Sequence, residues 1–201
     1  MGTEDLQRRK HLTEDEAQAL LAAVPLDTEA GLRNLAMIAL MLDGGLKVSE
    51  LVGPERTDAD RGTGGLRIGD ISWNDKTVRV TRHKDGTSRT LALSADTLEL
   101  IRRWLNRRPV SETDLVFTSL SGGRLQNRYV RQFLSEYGER AGIGRRVKPS
   151  VLRHTFAGRI FRETGDLEKL RDLLGHRDIS ATARYAHRPP DTWMDGGEGS
   201  R

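Results

Sequence analysis

Ser150-Val-Leu-Arg153-His-Thr-Phe-Ala157, Leu174-Gly-His176 and Thr182-Ala-Arg-Tyr185 follow one another in a basic, helix-rich part of this chain. Arg153 precedes His176 by 23 residues, and Tyr185 follows that histidine by nine. The three side chains have complementary chemistry. A guanidinium clamps phosphate oxygens through a planar fork of donors, an imidazole donates or shuttles protons, and a phenolic oxygen can attack phosphorus. Together they are the parts needed to cut a DNA backbone through a covalent intermediate without a metal.

The same residues resemble the tail signature of the tyrosine recombinase (phage integrase) family: His-x-x-Arg-His, then Leu-Gly-His, then Thr-x-x-Tyr. Further upstream, Gly45-Leu-Lys47-Val-Ser-Glu50-Leu51 is similar to the family's Gly-Leu-Arg-x-Ser-Glu-Leu, and Lys84-Asp-Gly-Thr-Ser-Arg89 to its lysine-bearing β-hairpin. The resemblance runs from about Leu12 to His187. It implies the family's catalytic-domain fold, mainly α with a small antiparallel β-sheet (α+β). It also implies site-specific recombination or integration on double-stranded DNA through a 3′-phosphotyrosyl intermediate, with no cofactor and no metal.

By this resemblance Tyr185 is the nucleophile, Arg153 and His176 hold the scissile phosphate, and Lys84 protonates the leaving 5′ oxygen. Arg82 and His83 are adjacent to Lys84, and the sequence alone does not decide which of the three faces the site. His154 reads as a packing residue or a support for its neighbours, and His187 as a surface residue. Two positions depart from the pattern. Lys47 stands where the family has its first catalytic arginine, keeping the charge but not the bidentate fork. Ser150 stands where it has a histidine, and a hydroxyl cannot hold a proton near neutral pH. Lys148, two residues earlier, is a candidate substitute. These departures keep a second reading open, a DNA-binding relative with impaired catalysis. A third is a type IB topoisomerase-like enzyme.

Composition fits these readings. The 201 residues suffice for one domain with a real core. No apolar run approaches the ~20 residues that span a bilayer, so no membrane partner is expected. The absence of cysteine rules out disulfides and thiolate metal sites and suits a cytoplasmic, nucleoid-associated protein. Net charge is +4, yet Arg124 to Arg177 holds 13 Lys and Arg against 6 Asp and Glu. A basic second half is what a phosphate-tracking surface requires. Arg82, Arg128, Arg131, Arg145, Arg146 and Lys148 are the candidate DNA contacts.

Residues 1–11 read as a linker, 12–188 as the catalytic domain and 189–201 as a flexible tail. Within the domain, the glycine-rich stretch 53–65 reads as a loop insert. Thr13-Glu-Asp-Glu16 is a capping box opening a first helix. A second is predicted from Thr28 to Leu42, ended by Gly44-Gly45, and a short one over 47–52. Strands are predicted at Leu66–Ile68, Ile71–Trp73, Thr77–Thr81 and Ser88–Leu93, the last two forming a hairpin around Asp85-Gly86. Ser94 caps the next helix, and others are expected at 126–141, 150–163, 166–175 and 179–186. Full-length family members carry an amino-terminal helical domain, and this chain begins almost where the catalytic domain should. The 16 residues after Tyr185 offer only Trp193-Met194 as an apolar hook. A monomer in free solution is therefore expected, self-assembling on DNA or pairing there with a full-length recombinase.

Overall fold

Thr13 opens the first helix as its sequence predicts. Its hydroxyl accepts from the Glu16 N–H (3.1 Å), and the Glu16 carboxylate accepts from the Thr13 N–H (2.9 Å), opening helix α1 (Glu14–Ala22). The computed structural model describes residues 10–54, 64–81, 86–183 and 185. Residues 1–9 of the expected linker, most of the proposed insert (55–63), the hairpin tip 82–85 and the tail lie outside the described residues. His11 departs from the linker expectation: it is 3 % exposed.

Helix α2 (Glu29–Gly44), capped by Thr28, is buried on nearly every side. It packs chiefly against α4 (Ala95–Leu105) and α6 (Pro149–Thr164) and forms the spine of the domain. Arg33 lies inside this core, 2 % exposed. Its guanidinium donates to the Thr118 carbonyl and Asn34 Oδ1 and lies 4.8 Å from the Tyr129 ring centre. Nothing in the hydrophobic pattern marks it as a core residue. Between α2 and the sheet comes the short α3 (Val48–Val52).

The sheet is antiparallel in the order β1 (Ile71–Ser72), β2 (Thr77–Thr81), β3 (Ser88–Ala92). Val78 pairs with Leu91 and Val80 with Arg89, so Val78, Val80 and Leu91 share the buried face. The strand expected at Leu66–Ile68 does not form. Arg67 makes one isolated bridge to Leu115, and Ile68–Asp70 closes into a 3₁₀ turn. The Asp70 carboxylate accepts from the Arg67 N–H at 3.0 Å, a local bond that competes with a longer ladder.

Helices α5 (Asn127–Arg140), α6, α7 (Leu167–Leu174) and α8 (Ser180–Ala183) follow among the described residues. The last is shorter than the expected 179–186: Tyr185 sits in a turn beyond it, its N–H donating to the Thr182 carbonyl at 2.9 Å. Tyr185 packs in a small second core with Phe156, Ala157, Leu170 and Leu174. Among the described residues, no helix is long and apolar enough to cross a membrane.

Candidate active site

Three helix ends meet at one cleft. The first is the end of α2, where Gly45 adopts left-handed geometry (φ 62°) and its carbonyl turns toward α6. Only glycine fits there: the φ disfavours a side chain, and a Cβ would lie 2.3 Å from the Phe156 ring. The second is the start of α6, with Pro149 in its first turn. The third is the end of α7, reversed by Gly175 (φ 61°), which delivers His176.

Arg153 joins all three. It is 9 % exposed, and its guanidinium donates to the Gly45 carbonyl (2.7 Å) and the Leu174 carbonyl (2.5 Å). Those two bonds fix the plane of the fork. Nη2 also lies 3.3 Å from His176 Nε2. Arginine has no acceptor, so Nε2 receives that bond, and the Nδ1–H is left to donate to Thr182 Oγ1 at 2.9 Å. Thr182, fully buried, thereby sets the histidine ring.

Glu50 underpins the arrangement. Arg89 donates to both its oxygens (2.9 and 3.0 Å), the Lys47 N–H donates to Oε2 (2.8 Å), and Arg153 Nη1 lies 3.8 Å away. Burial alone would push this carboxyl up. The bonds from Arg89 and the charge of Arg153 outweigh it and hold Glu50 below the usual carboxylate range. Arg89 also donates to the Leu173 carbonyl (2.7 Å), so two cations close the carboxyl end of α7. The sequence reading passed over Glu50 and Arg89. Their signal lies in the Ser-Glu motif and in an arginine two residues before Leu91, on the strand face that carries Val78 and Val80.

Tyr185 is 3 % exposed, and its hydroxyl lies 2.7 Å from His154 Nδ1. The structure therefore gives His154 a direct bond to the phenol, where sequence proximity to Arg153 suggested packing or support. Lys47, Val48, Pro149, Ser150, Arg153, His154, His176 and Tyr185 line one cleft of about 460 Å³. Of the sequence-predicted set, the cleft brings together Tyr185, Arg153, His176, Lys47 and Ser150. Lys84 and Arg82 lie outside the described residues. Among the described residues, no group of three or more His, Cys, Asp or Glu could hold a metal ion.

The candidate DNA contacts divide. Arg128, Arg131, Arg146 and Lys148 are exposed. Arg145 is turned inward, its side chain 7 % exposed. It donates to both oxygens of Glu16 (2.6 and 2.7 Å) and to the His11 carbonyl (2.6 Å), which ties α1 and the residue before its cap region to the loop before α6.

The family model described as the Phage integrase family matches residues 10–191. Among curated proteins, the tyrosine recombinase XerC of Haemophilus ducreyi is 32 % identical over 86 % of this chain and 53 % of its own length. The tyrosine recombinase XerD of Ralstonia nicotianae is 32 % identical over 89 % and 56 %. The chain thus spans about half the length of these relatives. Among solved structures, the XerA recombinase matches with TM-score 0.76 and 26 % identity, over 90 % of this chain and 61 % of that one. The catalytic domain of bacteriophage HP1 integrase shares the fold at TM-score 0.54 and 23 % identity, over 88 % and 86 %. With its mainly helical fold, three-stranded antiparallel sheet and convergent Arg153, His176 and Tyr185, the chain belongs to the phage integrase family of tyrosine recombinases.

Proposed function

We propose that this chain is the catalytic domain of a site-specific recombinase that cuts and rejoins double-stranded DNA through a 3′-phosphotyrosyl link. The observation that carries the reading is the meeting of Arg153, His176 and Tyr185 in one cleft, with their ring and fork orientations set by buried partners. Tyr185 Oη attacks the phosphorus, and the 5′ oxygen leaves as a hydroxyl. A second 5′ hydroxyl then reverses the step on another strand. The phosphodiester is exchanged for a phosphotyrosyl ester, so no external energy source is needed. Arg153 stabilises charge developing on the non-bridging oxygens, an electrostatic role of several kcal/mol per donor, and His176 joins it when its Nε2 exchanges the bond from Arg153 for a proton of its own. Lys84 is assigned the proton for the leaving oxygen, and Lys47 a second positive charge at the phosphate.

Exposed Arg128, Arg131, Arg146 and Lys148 are assigned to the DNA backbone. The protein is taken to be a monomer in solution that assembles on DNA, with its own kind or with a full-length recombinase, in the nucleoid.

Lys47 and Ser150 in the cleft also support a second reading, an intact scaffold with reduced catalysis. Covalent trapping on plasmid DNA, scored as an SDS-resistant shift, separates the two. A wild-type shift that Tyr185→Phe abolishes supports the enzyme. A shift seen only in Lys47→Arg/Ser150→His supports the impaired relative, and silence in all three counts against DNA cleavage by this chain.

A further inference from the structure

We propose that His154 takes the phenolic proton from Tyr185 during attack, so that the imidazole absent at position 150 is supplied one helical turn later on α6. This rests on the reading of Tyr185 as nucleophile. Positions 150 and 154 are four residues apart and share a helix face, and both line the cleft. Ser150 is exposed at its mouth, whereas His154 is half-buried against the tyrosine.

The contact has the geometry of proton transfer. Nδ1 and Oη are 2.7 Å apart, within the 2.6–3.2 Å reach of a general base. The rings are tilted by 52° with centroids 5.8 Å apart, so the pair meets through this bond and does not stack. Other acceptors in or behind the cleft are committed elsewhere. His176 is engaged through Nδ1 by Thr182 and through Nε2 by Arg153. Glu50 is held by Arg89 and the Lys47 N–H.

The step balances. The Oη–P bond forms, the P–O5′ bond breaks and the phenolic proton passes to Nδ1. The 5′ oxygen takes a proton on its own side, from Lys84 or solvent. Rejoining returns the Nδ1 proton to Oη, so no net proton is gained or lost over the cycle. The charged and titratable groups that line the cleft with the imidazole are Lys47 from the start of α3, Arg153 from α6, His176 from the end of α7, and Tyr185. A phosphodiester in their midst adds negative charge next to the imidazolium as it forms.

The assignment requires that resting His154 carry its proton on Nε2, leaving Nδ1 to accept. Nitrogen-15 spectra of histidine-labelled full chain read this without DNA. The expected result is an unprotonated Nδ1 whose resonance moves in Tyr185→Phe. A neutral ring protonated at Nδ1 overturns the proposal.

Plasmid trapping gives the second reading. His154→Asn places an amide oxygen where Nδ1 was, keeping an acceptor for the hydroxyl without a proton-accepting base. Both His154→Asn and His154→Ala should slow adduct formation by about 10²-fold or more, with added imidazole restoring the alanine variant. A His154→Asn rate within about threefold of wild type, below the range of acid–base catalysis, reduces His154 to a positioning residue and overturns this inference alone. A wild-type chain that forms no Tyr185-dependent adduct overturns the recombinase reading and this inference with it.

Discussion

Lys47 sits at the N-cap of α3 with its backbone bound to Glu50, so its side chain reaches the cleft from a fixed base. An ammonium there supplies charge but only point-like contact, where a guanidinium would grip two oxygens. Lys47→Arg is therefore expected to raise the trapping rate by about 10²-fold, the scale of one oxyanion donor, in a time course of SDS-resistant complex. Ser150→His should change the rate less, because His154 already occupies the phenol. At this scale the sequence was informative where spacing along the chain brings the candidate residues to one cleft, as for Arg153, His176 and Tyr185. It was blind where contact depends on the turn after α8, which brings Tyr185 back onto His154 across 31 residues.

Among the elements, the Glu50 network couples α3, β3, α6 and the end of α7 through a single carboxylate. Glu50→Gln leaves buried Arg153 and half-buried Arg89 with a weaker acceptor, and loss of one partner from a buried pair costs about 3–5 kcal/mol. The pH dependence has a definite sign. Glu50 is held below its ordinary value of 4.5 in the folded protein, so its contribution is complete above that value and disappears as pH falls through the lower folded one. The melting-temperature gap between wild type and Glu50→Gln should therefore be widest near neutrality and close on acidification. A gap that stayed constant down to acid unfolding would contradict the role given to this carboxylate. Helix starts were legible at this scale because Thr13, Thr28 and Ser94 cap them with local bonds. The pairing of Arg67 with Leu115 was not, since neither segment alternates long enough to announce a strand.

Across the whole molecule, the excess of positive charge in the second half is only partly turned to solvent. Arg145 contributes to that excess but is bound to Glu16 and the His11 carbonyl. Arg145→Ala is accordingly expected to lower the melting temperature through loss of a largely buried pair, on the order of 3 kcal/mol, while leaving the salt dependence of DNA binding unchanged. Charge counting along a sequence cannot make this distinction, because an arginine committed to a carboxylate and one facing solvent look alike in composition. Arg128, Arg131, Arg146 and Lys148 are exposed. If each neutralises one phosphate, together they account for a slope of about −4 in log K against log salt. Replacing all four with alanine should flatten the measured slope by about that amount and weaken binding alike on unrelated sequences, since phosphate contacts carry no base information. Fluorescence-anisotropy titrations at several salt concentrations provide the check. An unchanged slope in the fourfold variant would overturn the assignment of these four residues to a DNA backbone.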